Sequence, residues 1–164
     1  MEHNTSFSVS LNQDNFQDSQ GIVFLEKYGD IGKWLLPTIT GLSAYFQGHH
    51  YIPLGIICLG LGQKYIVDTL KDLFPRPRPR PFYFGKISQE DLQSFPSSHT
   101  SGAFLSAGLS YGLYGLSNQT ITLIALSALV GLSRVLSQKH WISDVTAGAA
   151  LGFSAGWLCG RVFG

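Results

Sequence analysis

At 164 residues the chain has room for one domain and hardly for two. Charged residues make up 13% of it, about half the share of an ordinary soluble domain, while hydrophobic residues make up 45%. A formal net charge of +1 gives no sign of a nucleic-acid partner, so the information lies in where the few charges sit.

Residues 1–20 are polar and lack both the basic stretch and the apolar core of a cleavable signal peptide. They read as a lead-in to a membrane-embedded domain over 21–164. A short amphipathic helix is expected over 21–31, followed by five spans over 32–46, 51–73, 97–116, 119–136 and 141–163. No Asp, Glu, Lys or Arg occurs over 35–63, 100–133 or 145–160. Helices of soluble proteins need a wet face, whereas a bilayer core of about 30 Å asks for roughly 20 apolar residues per helix. The pattern is that of an all-α, polytopic transmembrane bundle. Small residues recur in the later spans (Gly102, Ala107, Gly108, Gly112, Ala147, Gly148, Ala149, Gly152, Gly156) and let helix backbones approach closely in lipid. Trp34, Trp141 and Trp157 fall near expected span ends, where indole rings favour the headgroup level, or else serve ordinary packing. Cys58 and Cys159 lie within apolar stretches and read as buried small hydrophobes rather than a disulfide.

Short connections make neighbouring spans antiparallel. The end of the second span, the start of the third, the end of the fourth and the start of the fifth then share one membrane face. That face collects Lys71, Arg78, the 96–99 segment, Arg134 and the 140–144 segment. The one long connection, 75–95, carries Phe82, Tyr83, Phe84, Glu90 and Asp91, a lid or headgroup selector or else a solvated link.

These residue types suit phosphate. Lys71, Arg78 and Arg134 supply cations for a transferring phosphoryl group, arginine adding bidentate forks. The third span, opening at Ser97, presents backbone N–H groups and a positive dipole end. His140 and Asp144 are four apart; on a helix the carboxylate would fix the imidazole tautomer and free its other nitrogen for attack. His99 would serve as general acid and later activate water. The surrounding cations disfavour a divalent metal, and no cofactor is expected.

Three motifs carry a family resemblance: Lys71, six residues, Arg78-Pro79; then Pro96-Ser97-Ser98-His99; then Ser133-Arg134, five residues, His140, three residues, Asp144. The chain resembles the type-2 phosphatidic acid phosphatases, related to class A acid phosphatases and vanadium haloperoxidases. The resemblance implies that His140 is the nucleophile, Asp144 its partner and His99 the general acid. It also implies that Lys71, Arg78, Ser97, Ser98 and Arg134 bind phosphate. Ser98 stands where the family usually has Gly. Arg76 and Arg80 flank Arg78 in three Arg-Pro pairs, so spacing alone selects Arg78, and the other two are auxiliary candidates for a second phosphate.

The function implied is metal-independent removal of the terminal phosphate of a membrane lipid through a phosphohistidine. Undecaprenyl pyrophosphate, phosphatidylglycerol phosphate, phosphatidic acid and lipid A are the substrate types. The bilayer and its lipid phosphate are the partners; no obligatory protein partner is inferred. The family implies an extracytoplasmic site, although the cations crowding the site side would by themselves place that side in the cytoplasm, and the small size favours a bacterial inner-membrane enzyme. A non-catalytic lipid-phosphate binder or transport component is the alternative, and would bind lipid phosphate without releasing phosphate. A vanadate-dependent oxidase is a third reading, which halide oxidation with added vanadate would reveal.

Overall fold

Five helices account for most of residues 20–79 and 89–164, the part described by the computed structural model. They are α1 (Gln20–Phe46), α2 (Ile52–Leu73), α3 (Ser98–Tyr114), α4 (Asn118–Leu136) and α5 (Ile142–Phe163), with a single 3-10 turn at Gln89–Leu92. Residues 1–19, and the stretch 80–88 that holds Arg80, Phe82, Tyr83, Phe84 and Lys86, lie outside the described residues.

The expected amphipathic helix and first span are one continuous helix. Nothing between 20 and 46 stops it: Gly29 and Gly32 face Arg134 and Val130 of α4 rather than turns, and Pro37 sits inside the helix. A helical proline cannot donate to the carbonyl four residues back, which here is that of Lys33. That carbonyl lies against α3, where a Cβ on Gly102 would come within 3.0 Å of it. Trp34 consequently sits mid-helix on the outer face instead of at a span end.

Turn chemistry sets the other boundaries. Gly48 and Gly115 take positive φ in the α1–α2 and α3–α4 connections, a region open to glycine at no steric cost. Ser97 and Ser117 cap α3 and α4 by accepting from Thr100 and Thr120 backbone N–H groups.

The bundle is built around α3. Along α5, Gly148, Gly152, Gly156 and Gly160 recur every four residues and face the Ser97, Ser101, Leu105 and Leu109 carbonyls of α3 and its cap. Gly108 and Gly112 of α3 reciprocate against the Phe153 and Trp157 carbonyls. No Cβ fits at the central contacts, so the two backbones touch and their relative register is locked. Hydroxyls join α4 to α3: Ser127 of α4 donates to the Ala103 carbonyl at 2.9 Å, and Ser110 bonds Thr120 at 2.9 Å.

Polarity is inverted relative to a soluble protein. Thr40, Gln63, Ser101, Ser106, Ser110, Ser127 and Ser133 are buried, whereas Leu35, Ile39, Leu42, Leu54, Ile57, Leu61, Ile66, Leu129, Leu158 and Val162 face outward. Among the described residues α4 alone qualifies as a span by length and composition. The others carry charge toward the site end, or small residues on mutually packed faces. Cys159 is buried as expected, but Cys58 is on the exposed outer face.

Candidate active site

The α3–α5 register determines the site. One turn before Gly148, the Asp144 carbonyl accepts from the Ser97 N–H at 3.0 Å, tying the start of α5 to the start of α3. The Asp144 carboxylate is fully buried and charge-paired. Its Oδ1 accepts from Arg76 Nη1 at 2.6 Å; its Oδ2 accepts from Ser94 Oγ at 2.6 Å and from the Trp141 N–H at 2.9 Å. The Trp141 bond caps α5, so Asp144 is at once a helix cap and a hub for three segments. Arg76 also donates to Ser143 Oγ at 2.7 Å and lies over the Trp141 ring.

His140 lies before α5, in the connection from α4, so the helical i,i+4 geometry expected for it and Asp144 does not apply. Its Nδ1 is 3.8 Å from Asp144 Oδ2, beyond hydrogen-bond reach. At 2.7 Å from Nδ1 lies instead the Ser94 backbone carbonyl. A carbonyl only accepts, so Nδ1 carries the proton and Nε2 keeps its lone pair. Burial is the main influence on this imidazole and holds its pKa below the usual 6.5. The Arg78 charge acts in the same sense, against the opposing pull of Asp144 and the Ser94 carbonyl.

On the other side of the site, α1 enters. Asp30 Oδ1 lies 3.0 Å from Arg134 Nη1 and 3.0 Å from His99 Nε2, one oxygen bridging both. Arg134, which is buried, further donates Nη2 to the Glu26 carbonyl at 2.7 Å and Nε to Ser133 Oγ at 3.1 Å. Lys33 Nζ is 3.2 Å from the same His99 Nε2, and Lys139 pairs with Glu26 at 3.1 Å.

Lys71, at the end of α2, is partly buried and within electrostatic range of Arg78 and Lys33. Arg78 donates from its backbone to the Asp91 carbonyl at 3.0 Å and from Nη1 to the Lys139 carbonyl at 3.3 Å. The Ser97 hydroxyl is buried in its capping role, and its N–H is engaged with Asp144. Ser98 and His99 therefore offer the first-turn amides that have no backbone partner among the described residues.

The structure thus brings together His140, Asp144, His99, Lys71, Arg78, Ser97, Ser98, Arg134 and Arg76, while Arg80 falls outside the described residues. Sequence reasoning missed Ser94 and the α1 trio Glu26, Asp30 and Lys33. The trio did leave a signal, since positions 26, 30 and 33 share one helical face.

Fold and site define a helical membrane bundle with a histidine–aspartate–arginine cluster at one end. The chain belongs to the PAP2 superfamily, whose sequence profile matches residues 53–164. It is 29% identical over 144 residues to a lipid A 4'-phosphatase of Helicobacter pylori, covering 85% of this chain and 71% of that protein. It is 31% identical over 146 residues to a probable lipid phosphate phosphatase 4 of Arabidopsis thaliana, covering 67% of this chain and 46% of that protein. A lipid A 1-phosphatase of Porphyromonas gingivalis is 31% identical over 90 residues, covering 50% of this chain and 20% of that protein. Among solved structures, the transmembrane PAP2 type phosphatidylglycerolphosphate phosphatase from Bacillus subtilis superposes with a TM-score of 0.66 at 22% identity, covering 94% of this chain and 86% of that one. LpxE of Aquifex aeolicus gives 0.67 at 22% identity, covering 96% of each. These likenesses show the fold, a transmembrane helical bundle.

Proposed function

We propose that the chain is a lipid phosphate or pyrophosphate phosphatase working through a phosphohistidine on His140, with no metal in the reaction. The observation that carries this reading is the Ser94 carbonyl on His140 Nδ1, which leaves Nε2 as a lone-pair nucleophile at the cationic end of the bundle. Nε2 attacks phosphorus as the P–O bond to the lipid breaks, and its electron pair leaves with the lipid oxygen. His99 protonates that oxygen. Neutral His99 then takes a proton from water, whose oxygen attacks phosphorus; the P–N bond breaks and orthophosphate departs. Lys71, Arg78, Arg134 and the amides of Ser98 and His99 serve the equatorial oxygens, where transition-state charge resides. Asp144 acts by holding Arg76, Ser94 and the start of α5 in place.

The apolar exterior of the bundle and the cationic cluster at one of its ends support a lipid substrate, and the relatives are named for lipid phosphates. Undecaprenyl pyrophosphate, phosphatidylglycerol phosphate, phosphatidic acid and lipid A remain the substrate types, and a bacterial inner membrane with an extracytoplasmic site the setting. The test is phosphate release by detergent-purified protein in EDTA across these lipids. Wild type should release phosphate and His140→Ala should be slower by on the order of 10³-fold or more. Release that needs added metal, or that survives His140→Ala, would overturn the mechanism; tight lipid binding with no release would mean a binder.

A further inference from the structure

The helix α1 contributes a feature that the reaction just described does not use. One oxygen, Asp30 Oδ1, sits 3.0 Å from both Arg134 Nη1 and His99 Nε2. Lys33 Nζ approaches the same imidazole nitrogen at 3.2 Å. An anionic oxygen held by an arginine and a histidine, with a lysine on the same imidazole nitrogen, has the surroundings that suit a phosphoryl oxygen. The two sides of the contact differ in freedom. Arg134 is 1% exposed and held by two further hydrogen bonds, whereas the Asp30 side chain is 54% exposed. A competing anion would therefore displace Asp30 and leave Arg134 where it is. Lys33 is placed independently: its carbonyl packs on Gly102, one turn beyond His99 on α3. A lysine on an intramembrane helix that is turned to a polar cluster marks a functional position.

We infer that α1 completes the phosphate seat. Asp30 is a built-in occupant that the substrate's phosphoryl group replaces, and Lys33, which lies against His99 Nε2, is a further phosphate ligand. The inference rests on the proposed phosphatase reading, and it reaches residues that lie outside the family match, which begins at 53.

The experiment is inhibition of lipid-phosphate hydrolysis by inorganic phosphate and by orthovanadate. Full-length wild type is compared with Asp30→Asn and Lys33→Met, and thermal unfolding in detergent is followed in parallel. Removing the internal carboxylate should tighten both inhibitors by about tenfold, since two anions no longer compete for one group of cations. Lys33→Met should weaken both by about tenfold, with thermal stability unchanged. A merely structural Asp30 would lower thermal stability without tightening either inhibitor, and that result overturns the occupant role. Should Asp30→Asn not fold, the lysine variant still decides: inhibition constants within twofold of wild type would overturn the Lys33 assignment. Wild type that neither hydrolyses lipid phosphate nor responds to vanadate would instead sink the phosphatase reading itself.

Discussion

Arg76 separates two kinds of arginine at this site, and its removal should be read in stability and turnover rather than in substrate affinity. Its Nη1 supplies one of three hydrogen bonds to the buried Asp144 carboxylate, at 2.6 Å, with Ser94 Oγ and the Trp141 N–H as the others. A hydrogen bond to a charged group contributes about 1.5–3 kcal/mol. The Arg76 side chain is 38% exposed, so solvent screening places this one toward the lower end. Its stacking over the Trp141 ring, 5.6 Å to the centroid, adds about 0.5 kcal/mol. Arg76→Ala keeps the backbone bonds to Leu92 and Ser94 and should therefore cost about 2 kcal/mol, a fall of about 4–8 °C in Tm for a chain of this size. Looser Asp144 loosens Ser94, whose carbonyl orients His140, and about 1.4 kcal/mol of that loss felt in the transition state lowers kcat about tenfold. KM and the phosphate inhibition constant should stay within about twofold. The assay pairs thermal unfolding in detergent with steady-state hydrolysis of a short-chain lipid phosphate. An unchanged Tm together with a raised KM would refute the reasoning and make Arg76 a phosphate ligand.

Four further outcomes are expected, two at His140 and two at glycines. Burial lowers the pKa of His140 from 6.5, so the acid limb of kcat/KM should have its midpoint below pH 6.5, and a limb centred above that value would contradict a buried neutral nucleophile. Because the folded pKa lies below the unfolded one, the stability this group contributes is complete above pH 6.5 and is lost as pH falls through the lowered value; His140→Gln should flatten that part of the stability profile. Gly152→Ala would drive a Cβ into the Ser101 backbone of α3, costing about 1–3 kcal/mol and lowering Tm and kcat together. Gly62→Ala, with no neighbour within 4 Å, should leave both unaffected or slightly raise Tm; equal losses in the two variants would refute the backbone-contact account.

What could be read from the sequence was whatever is written in side chains at fixed spacing. Uncharged stretches and antiparallel counting placed Lys71, Arg78, Ser97, His99, Arg134 and His140 at one end, because helix length and loop length leave little alternative. The recurring glycines announced close backbone contact, though not which carbonyls they would meet. The partner of His140 was illegible for a physical reason: it is the main-chain carbonyl of Ser94, a group that every residue carries. The four-residue spacing of His140 and Asp144 suggested one helical face, yet α5 begins at Ile142, and the spacing works instead through the cap at Trp141. The α1 contribution was hidden by ending an amphipathic helix at 31. Carried through to Phe46, the same helix sets Asp30 and Lys33 beside His99, with the apolar residues that follow turned outward.

The two halves of the site differ in how firmly they are held, and the difference has a consequence for catalysis. On the nucleophile side, Asp144, Ser94 and Ser97 are fully buried, His140 nearly so, and each is bonded to backbone from a different segment. The register of α3 against α5 cannot slip there without driving glycine faces into carbonyls. Groups fixed in that way need no reorganisation when charge develops on the phosphoryl oxygens. On the opposite side, the bond that must exchange is made by a half-exposed carboxylate on α1. Under the proposed mechanism the reorganisation that binding requires is concentrated in Asp30, the residue that water can also reach, and a substrate phosphate outcompetes one carboxylate rather than rebuilding a buried network.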